Sequence, residues 1–156
     1  MKAQAFFSKE EIPIINVRSG KSYNCEMCGL YRTCKSPKMK TTGEGKKKTL
    51  IIMEAPGSEE DNQNTQLVGE AGQFFRNKLK ERGLTLDEDF YKDNSVRCRP
   101  PGNEKPTKQQ LKWCKPNLDK TIQELQPEFI WLFGEAAIAS FYAGRDAHLQ
   151  ISTWRG

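Results

Sequence analysis

Short apolar runs alternate with stretches of helical spacing along this chain, and that alternation sets the expected architecture. The segment Thr49-Leu50-Ile51-Ile52-Met53-Glu54 runs into Ala55-Pro56-Gly57, which predicts a buried strand followed by a turn. From Glu70 to Arg82 the apolar residues stand at 71, 74, 75 and 79, one face of a helix, with Gly83 as its C-terminal stop. Phe90 to Cys98 predicts a second strand, ended by the turn residues of 99–103. Thr107 is the expected N-cap of a helix through Leu125, stopped before Pro127. Glu128 to Phe133 predicts a third buried strand, and Gly134 opens a helix over 135–142 that ends at Gly144. Phe74, Phe75, Phe129, Trp131 and Phe133 are expected in the core. Residues 22–48 show no clear periodicity.

Strand, helix, strand, helix, strand, helix implies parallel strands joined by crossover helices. The fold class expected is therefore α/β, a three-layer α/β/α arrangement around a doubly wound, mainly parallel sheet. Ligands in such sheets bind beyond the carboxyl ends of the strands. The segments there are EAPGSEED, RCRPPGN and GEAA. A chain of 156 residues fits one domain, here residues 22–156 after an N-terminal extension over 1–21.

Composition adds exclusions. No apolar run approaches the roughly 18–20 residues of a membrane helix, and the N-terminus does not read as a secretory signal. The formal charge is +5, and its distribution says more than its size. Arg32 to Lys48 holds seven basic residues against Glu44 alone, and Arg97 to Lys115 holds six against Glu104 alone. Two basic tracts suit contact with a phosphate backbone, although solvated loops would look the same. Lys46, Lys47, Arg97 and Arg99 are the candidate DNA contacts.

Five cysteines without a secretion signal point to a reducing, cytoplasmic setting, where closely spaced thiols are more often metal ligands than disulfides. Cys25-x-x-Cys28 places two sulfurs one turn apart, and Cys98 and Cys114 form a long-range pair able to close the same centre. Spacing alone leaves an iron–sulfur cluster and a structural zinc open. Cys34 remains over, as a buried apolar residue or an alternative ligand.

Glu54-Ala55-Pro56-Gly57-Ser58-Glu59-Glu60-Asp61 with Leu67-Val68-Gly69-Glu70-Ala71-Gly72 closely resembles the signature of family 4 uracil-DNA glycosylases. Asn94 to Asn103, Cys114, Cys25-x-x-Cys28 and Ile151 to Gly156 fit the same pattern in order, so the resemblance covers roughly residues 22–156. It implies a 4Fe–4S cluster on Cys25, Cys28, Cys98 and Cys114, with zinc as the alternative. It also implies a uracil pocket shaped by the loop from Glu54 to Asp61. Glu54, Ala55 and Gly57 would lie near base and water, Asp61 and Leu67 would border the base, and Asn94 would read the edge of a flipped uracil. The implied partner is DNA, single-stranded or uracil-containing, bound by a monomer.

The sequence departs from the family at Met53, where Gly is usual, at Gln66 for Pro, and at Leu67 for a stacking Phe. The family's His-Pro motif follows its late Arg-Gly, whereas here the sequence ends at Gly156 and the single histidine, His148, precedes Arg155. A truncated or divided protein is the expectation, and catalysis is in question. The alternative reading is a catalytically weak DNA-binding module of the same fold, part of a larger replication or repair protein such as a phage polymerase.

Overall fold

A computed structural model describes residues 25–143. The extension over 1–21, His148 and the 151–156 segment lie outside the described residues. The elements in chain order are α1 (Cys25–Cys28), β1 (Thr49–Met53), α2 (Ser58–Gln63), α3 (Glu70–Lys80), α4 (Leu86–Asp89), β2 (Phe90–Asn94), α5 (Lys108–Leu125), β3 (Phe129–Leu132) and α6 (Glu135–Tyr142). The strands form a parallel sheet in the order β2-β1-β3, with Thr49 opposite both Phe90 and Phe129.

β1 is central and buried along its whole length, because its unbroken apolar run serves two cores at once. Leu50 and Ile52 face Leu118 and Ile122 of α5 and Ala137 and Phe141 of α6. Ile51 and Met53 face the opposite side, with Leu79 of α3, Leu86 of α4 and Phe90. Side chains alternate across a strand, so one five-residue run fills both interlayer spaces. Each such aliphatic side chain contributes about 1.5–3 kcal/mol on burial. The result is the expected α/β/α layering.

Helix ends follow their local chemistry. Thr107 and Gln110 form a reciprocal capping box, the Gln110 N–H donating to Thr107 Oγ1 at 3.2 Å and the Thr107 N–H to Gln110 Oε1 at 2.9 Å. α5 stops at Gln126 in a left-handed conformation, one residue before Pro127. α3 ends through Gly83 at φ 71°, and the Leu84 N–H returns to the Leu79 carbonyl at 3.0 Å. Among the described residues no helix is long and apolar enough to cross a membrane.

Three expectations need correction. The second strand ends at Asn94 instead of Cys98, because Ser95 and Val96 donate to the Met53 and Glu54 carbonyls and the chain then turns away. Among the described residues the third strand has a neighbour on one side only, and it is half covered. Phe129 (40% exposed), Trp131 (38%) and Phe74 (64%) are accordingly not core residues, while Phe75 and Phe133 meet edge to face against the Ile51 cluster. The aperiodic 22–48 segment is also structural in part. Within it, Thr42 exchanges both backbone hydrogen bonds with Lys92 and shields the outer edge of β2.

Candidate functional site

The site is built where β1 and β2 end together. Met53 and Asn94 are opposite one another in the register, and the two chains stay fastened beyond them. Ser95 Oγ donates to the Met53 carbonyl at 2.8 Å, and the Val96 N–H to the Glu54 carbonyl at 3.0 Å. Glu54 and Asn94, far apart in sequence, thus emerge side by side. Asn94 is 3% exposed, yet its carboxamide makes no hydrogen bond to the described residues. Glu54 is half-buried, and its carboxylate likewise has no partner among the described residues. Ala55 packs into the cluster of Leu30, Val96, Cys98, Leu111 and Ala136, and Gly57 caps α2.

Glu60 and Asp61 hold the surrounding loops. Glu60 Oε1 accepts the N–H groups of Val68 (2.9 Å) and Gly69 (2.7 Å), drawing the 67–69 loop against the start of α2. Leu67 packs on the cluster containing Met53, with left-handed backbone at φ 55°. A side chain at Gly72 would collide with the Leu67 backbone, so only glycine permits this approach. The Asp61 carboxylate is buried and spent on the N–H groups of Lys35 (3.0 Å) and Ser36 (2.8 Å), a structural clamp on the cysteine-bearing segment.

Beside this edge lies a cavity of about 40 Å³ lined by Cys25, Cys28, Cys98 and Cys114 together, with Trp113, Tyr31, Lys38, Val96, Arg97 and Asn117 completing the wall. The structure therefore brings the four sequence-predicted cysteines to one place, from α1, the β2 exit and α5. Among the described residues no three of His, Cys, Asp or Glu converge closely enough for a single metal ion. Burial pushes the Cys98 thiol up to about 12 and moves Cys114 in the same direction. The Lys38 N–H donates to Cys98 Sγ at 3.2 Å, and Asn117 Nδ2 to Cys114 Sγ at 3.6 Å. Such donors favour thiolate, but a cation is what holds buried sulfurs deprotonated. Cys34 does not line the cavity; it packs on the cluster containing Cys98.

The expected DNA contacts separate. Arg97 is a correction: its guanidinium pairs with wholly buried Asp93 at 2.5 Å and donates to Thr121 Oγ1 and, at 3.4 Å, to the Asn117 carbonyl. A group so engaged inside the fold is not offered to phosphate. Lys46 and Lys47 precede β1 and so sit beyond the opposite end of the sheet from Glu54, with the strand between them alone spanning about 16 Å at 3.3 Å per residue. Lys46 is further occupied by Glu44 (3.2 Å) and Glu88 (2.6 Å). Arg99 stays at the site edge, half-buried, its Nε donating to Asn103 Oδ1 at 2.6 Å. Sequence reasoning missed Lys38, Tyr31 and Asn117 on the cavity wall, and no local pattern marks them, since their placement depends on long-range packing.

Residues 40–155 match the family model described as the uracil DNA glycosylase superfamily. The chain is 32% identical over 141 residues to the type-4 uracil-DNA glycosylase of Thermotoga maritima, covering 89% of this chain and 70% of that one. It is 36% identical over 113 residues to the type-4 uracil-DNA glycosylase of Pyrobaculum aerophilum, covering 71% of this chain and 56% of that one. A DNA polymerase of Bacillus phage SP01 is 30% identical over 92 residues, which is 59% of this chain and 10% of the polymerase. The chain thus spans little more than half of the Pyrobaculum relative's length.

Proposed function

The chain belongs to the uracil DNA glycosylase superfamily, and on that premise we propose that it binds DNA and hydrolyses the N-glycosidic bond of uracil or a related base. The observation that carries this reading is the carboxamide of Asn94, a residue 3% exposed, beside the carboxylate of Glu54, neither hydrogen-bonded to the described residues. A carboxamide offers one acceptor and two donor hydrogens, the complement of an imide edge such as that of uracil. Asn94 then selects the extruded base by hydrogen bonding. Glu54 holds a water and favours positive charge developing on the sugar. The water oxygen bonds to the sugar carbon as the bond to the base breaks, the base departs with the electron pair, and the proton the water sheds passes to the Glu54 carboxylate. Ala55 and Gly57 supply the backbone wall, and Leu67 the apolar border of the base.

Cys25, Cys28, Cys98 and Cys114 would hold a 4Fe–4S cluster. Four thiols line one cavity, and the resemblance to family 4 uracil-DNA glycosylases favours iron–sulfur over the zinc that four sulfurs would also suit. Such a cluster is structural, tying α1 and α5 to the exit of β2. The substrate is DNA, single-stranded or uracil-containing, met in the cytoplasm by a monomer, and Arg99 is the remaining phosphate contact.

A second reading is favoured by the match to the phage DNA polymerase: a DNA-recognition module with weak or no catalysis inside a larger replication protein. Uracil excision from a labelled single-stranded oligonucleotide, with binding measured in parallel, separates the two. Cleavage lost in both Glu54→Ala and Asn94→Ala supports the enzyme. Firm binding without cleavage supports the module, and neither activity overturns both readings.

A further inference from the structure

The basic tract that begins at Arg32 divides between the two ends of the sheet. Lys46 and Lys47 precede β1, whereas the stretch up to Met39 is fastened to the end where Glu54 and Asn94 emerge. Asp61, in the helix that follows the Glu54 loop, accepts the N–H groups of Lys35 (3.0 Å) and Ser36 (2.8 Å), and Ser36 Oγ donates to the Asp61 carbonyl at 2.6 Å. Just beyond, the Lys38 N–H meets Cys98 Sγ at 3.2 Å and the Met39 N–H meets the Arg97 carbonyl at 2.9 Å. Lys38 is left-handed at φ 56°, a conformation that L residues rarely adopt and that the flanking bonds hold in place. Tyr31, half-buried on the wall of the four-cysteine cavity, gathers two exposed cations. The Arg32 guanidinium lies 5.4 Å from the ring centroid and its Nε donates to Tyr31 Oη at 3.0 Å, while the Lys38 ammonium lies 5.4 Å from the same centroid. Among the described residues no carboxylate pairs with Arg32 or Lys38, although in the same tract Glu44 and Glu88 occupy Lys46 and Glu128 occupies Lys48. Ring and backbone thus fix two unanswered positive charges at the end of the sheet that carries Glu54 and Asn94, so little ordering is lost when an anion arrives.

We propose that Arg32 and Lys38, gathered on the Tyr31 ring, grip the phosphate backbone of the DNA strand whose base enters between Glu54 and Asn94. The assignment rests on the reading of this chain as a DNA-binding glycosylase and adds to it where the strand runs. A base held by Asn94 leaves its own sugar and phosphate outside the pocket, and the neighbouring phosphates continue along the surface at that end of the sheet. Cations there meet phosphates, and those at the far end, Lys46 and Lys47, do not. The guanidinium presents planar N–H donors that match two phosphate oxygens, and the ammonium acts as a point charge. Such contacts carry no sequence information, so Arg32 and Lys38 hold a strand equally with or without uracil, while Asn94 supplies the selection.

The test is binding of the full chain to labelled single strands with and without uracil across a salt series. Arg32→Gln together with Lys38→Gln should lower the slope of log affinity against log salt by about 1.4, two contacts at about 0.7 each on a single strand, and equally for both strands. Lys46→Gln together with Lys47→Gln removes the same charge beyond the other end of the sheet and should leave the slope as in wild type. An equal fall in both double variants makes the effect one of net charge and overturns the proposal, as does an unchanged slope in the first. Lys38 lines the cavity, so iron content is measured alongside; Arg32 does not, and Arg32→Gln alone should lower the slope by about 0.7 at wild-type iron content. An unchanged slope or lost iron in that single variant overturns the proposal. Wild-type protein that binds neither strand overturns the proposed function as well, whereas firm wild-type binding with no change in the variants overturns the phosphate grip alone.

Discussion

The guanidinium of Arg97 lies 2.5 Å from the carboxylate of Asp93, a side chain with no exposed surface, and the same guanidinium reaches Thr121 on α5. This pair joins the end of β2 to the helix that carries Cys114. Removing Arg97 leaves a buried charge without its partner, so Arg97→Ala should cost about 3–5 kcal/mol of unfolding free energy. DNA binding by the folded fraction should keep its salt dependence. Arg99→Ala should leave stability nearly unchanged and lower the salt slope by about 1, the signature of one lost phosphate contact. Denaturant unfolding and binding across a salt series measure both. A lower salt slope in Arg97→Ala would return that residue to the interface.

Asp87 bridges Arg76 and the Lys92 ammonium, whose side chain is only 1% exposed. The hydrogen bond from Arg76 first, and that from Lys92 after it, hold the Asp87 carboxyl down at about 2 against an ordinary 3.8. A depressed carboxyl contributes stability that is present above its ordinary value and lost as the pH falls through the folded one. Unfolding free energy should therefore decline between about pH 4 and pH 2 through this group. Asp87→Asn should be less stable than wild type at pH 7, since Lys92 loses its counter-charge, and the two curves should converge near pH 2. Parallel curves over that range would show that Asp87 is not the titrating group.

Asp61 sits in an acidic run that reads as a helix start or as part of a base pocket, and the structure gives it a different role. Both carboxylate oxygens accept backbone N–H groups of the segment next to Cys34. Asp61→Ala should cost about 2–4 kcal/mol, because two half-buried donors lose a charged acceptor. Hydrogen exchange should speed up at Lys35 and Ser36 while β1 amides keep their protection. Unchanged exchange at both residues would remove the clamp.

Legible in the sequence is what is local or periodic. The apolar run 49–53, the Thr107 cap, the Gly83 stop and the stop before Pro127 each depend on a few adjacent residues, and each stands where the pattern places it. The four cysteines read as a set because thiol chemistry restricts what clustered cysteines do, and one cavity gathers them. Arg97 misleads because a basic residue in a basic tract looks solvated until its partner Asp93, four residues earlier, turns out to be buried. Lys46 and Lys47 mislead for a topological reason, since charge counted along the chain carries no information about which end of a strand it reaches. Trp131 and Phe129 look like core because they are large and apolar, but among the described residues their strand has a neighbour on one side only.

Leu67 occupies the position where the family resemblance expects a stacking aromatic ring, and its half-buried side chain packs on the cluster of Met53, Leu79 and Phe90. Its backbone is fixed from outside by the Gly72 approach and by Arg76 Nε, which donates to its carbonyl at 2.9 Å. A phenylalanine there inherits that backbone, so its ring must either crowd the cluster or extend out of it. Crowding alone would cost about 1–3 kcal/mol of stability with no gain in binding. Extension brings a π face to the base, and even the lower end of stacking, about 1 kcal/mol, tightens binding about fivefold. Leu67→Phe should therefore bind a uracil-containing oligonucleotide about fivefold tighter than wild type, with little change on a strand lacking uracil. Equal affinity for both strands, together with a loss of stability, would place Leu67 in the core and outside the base site.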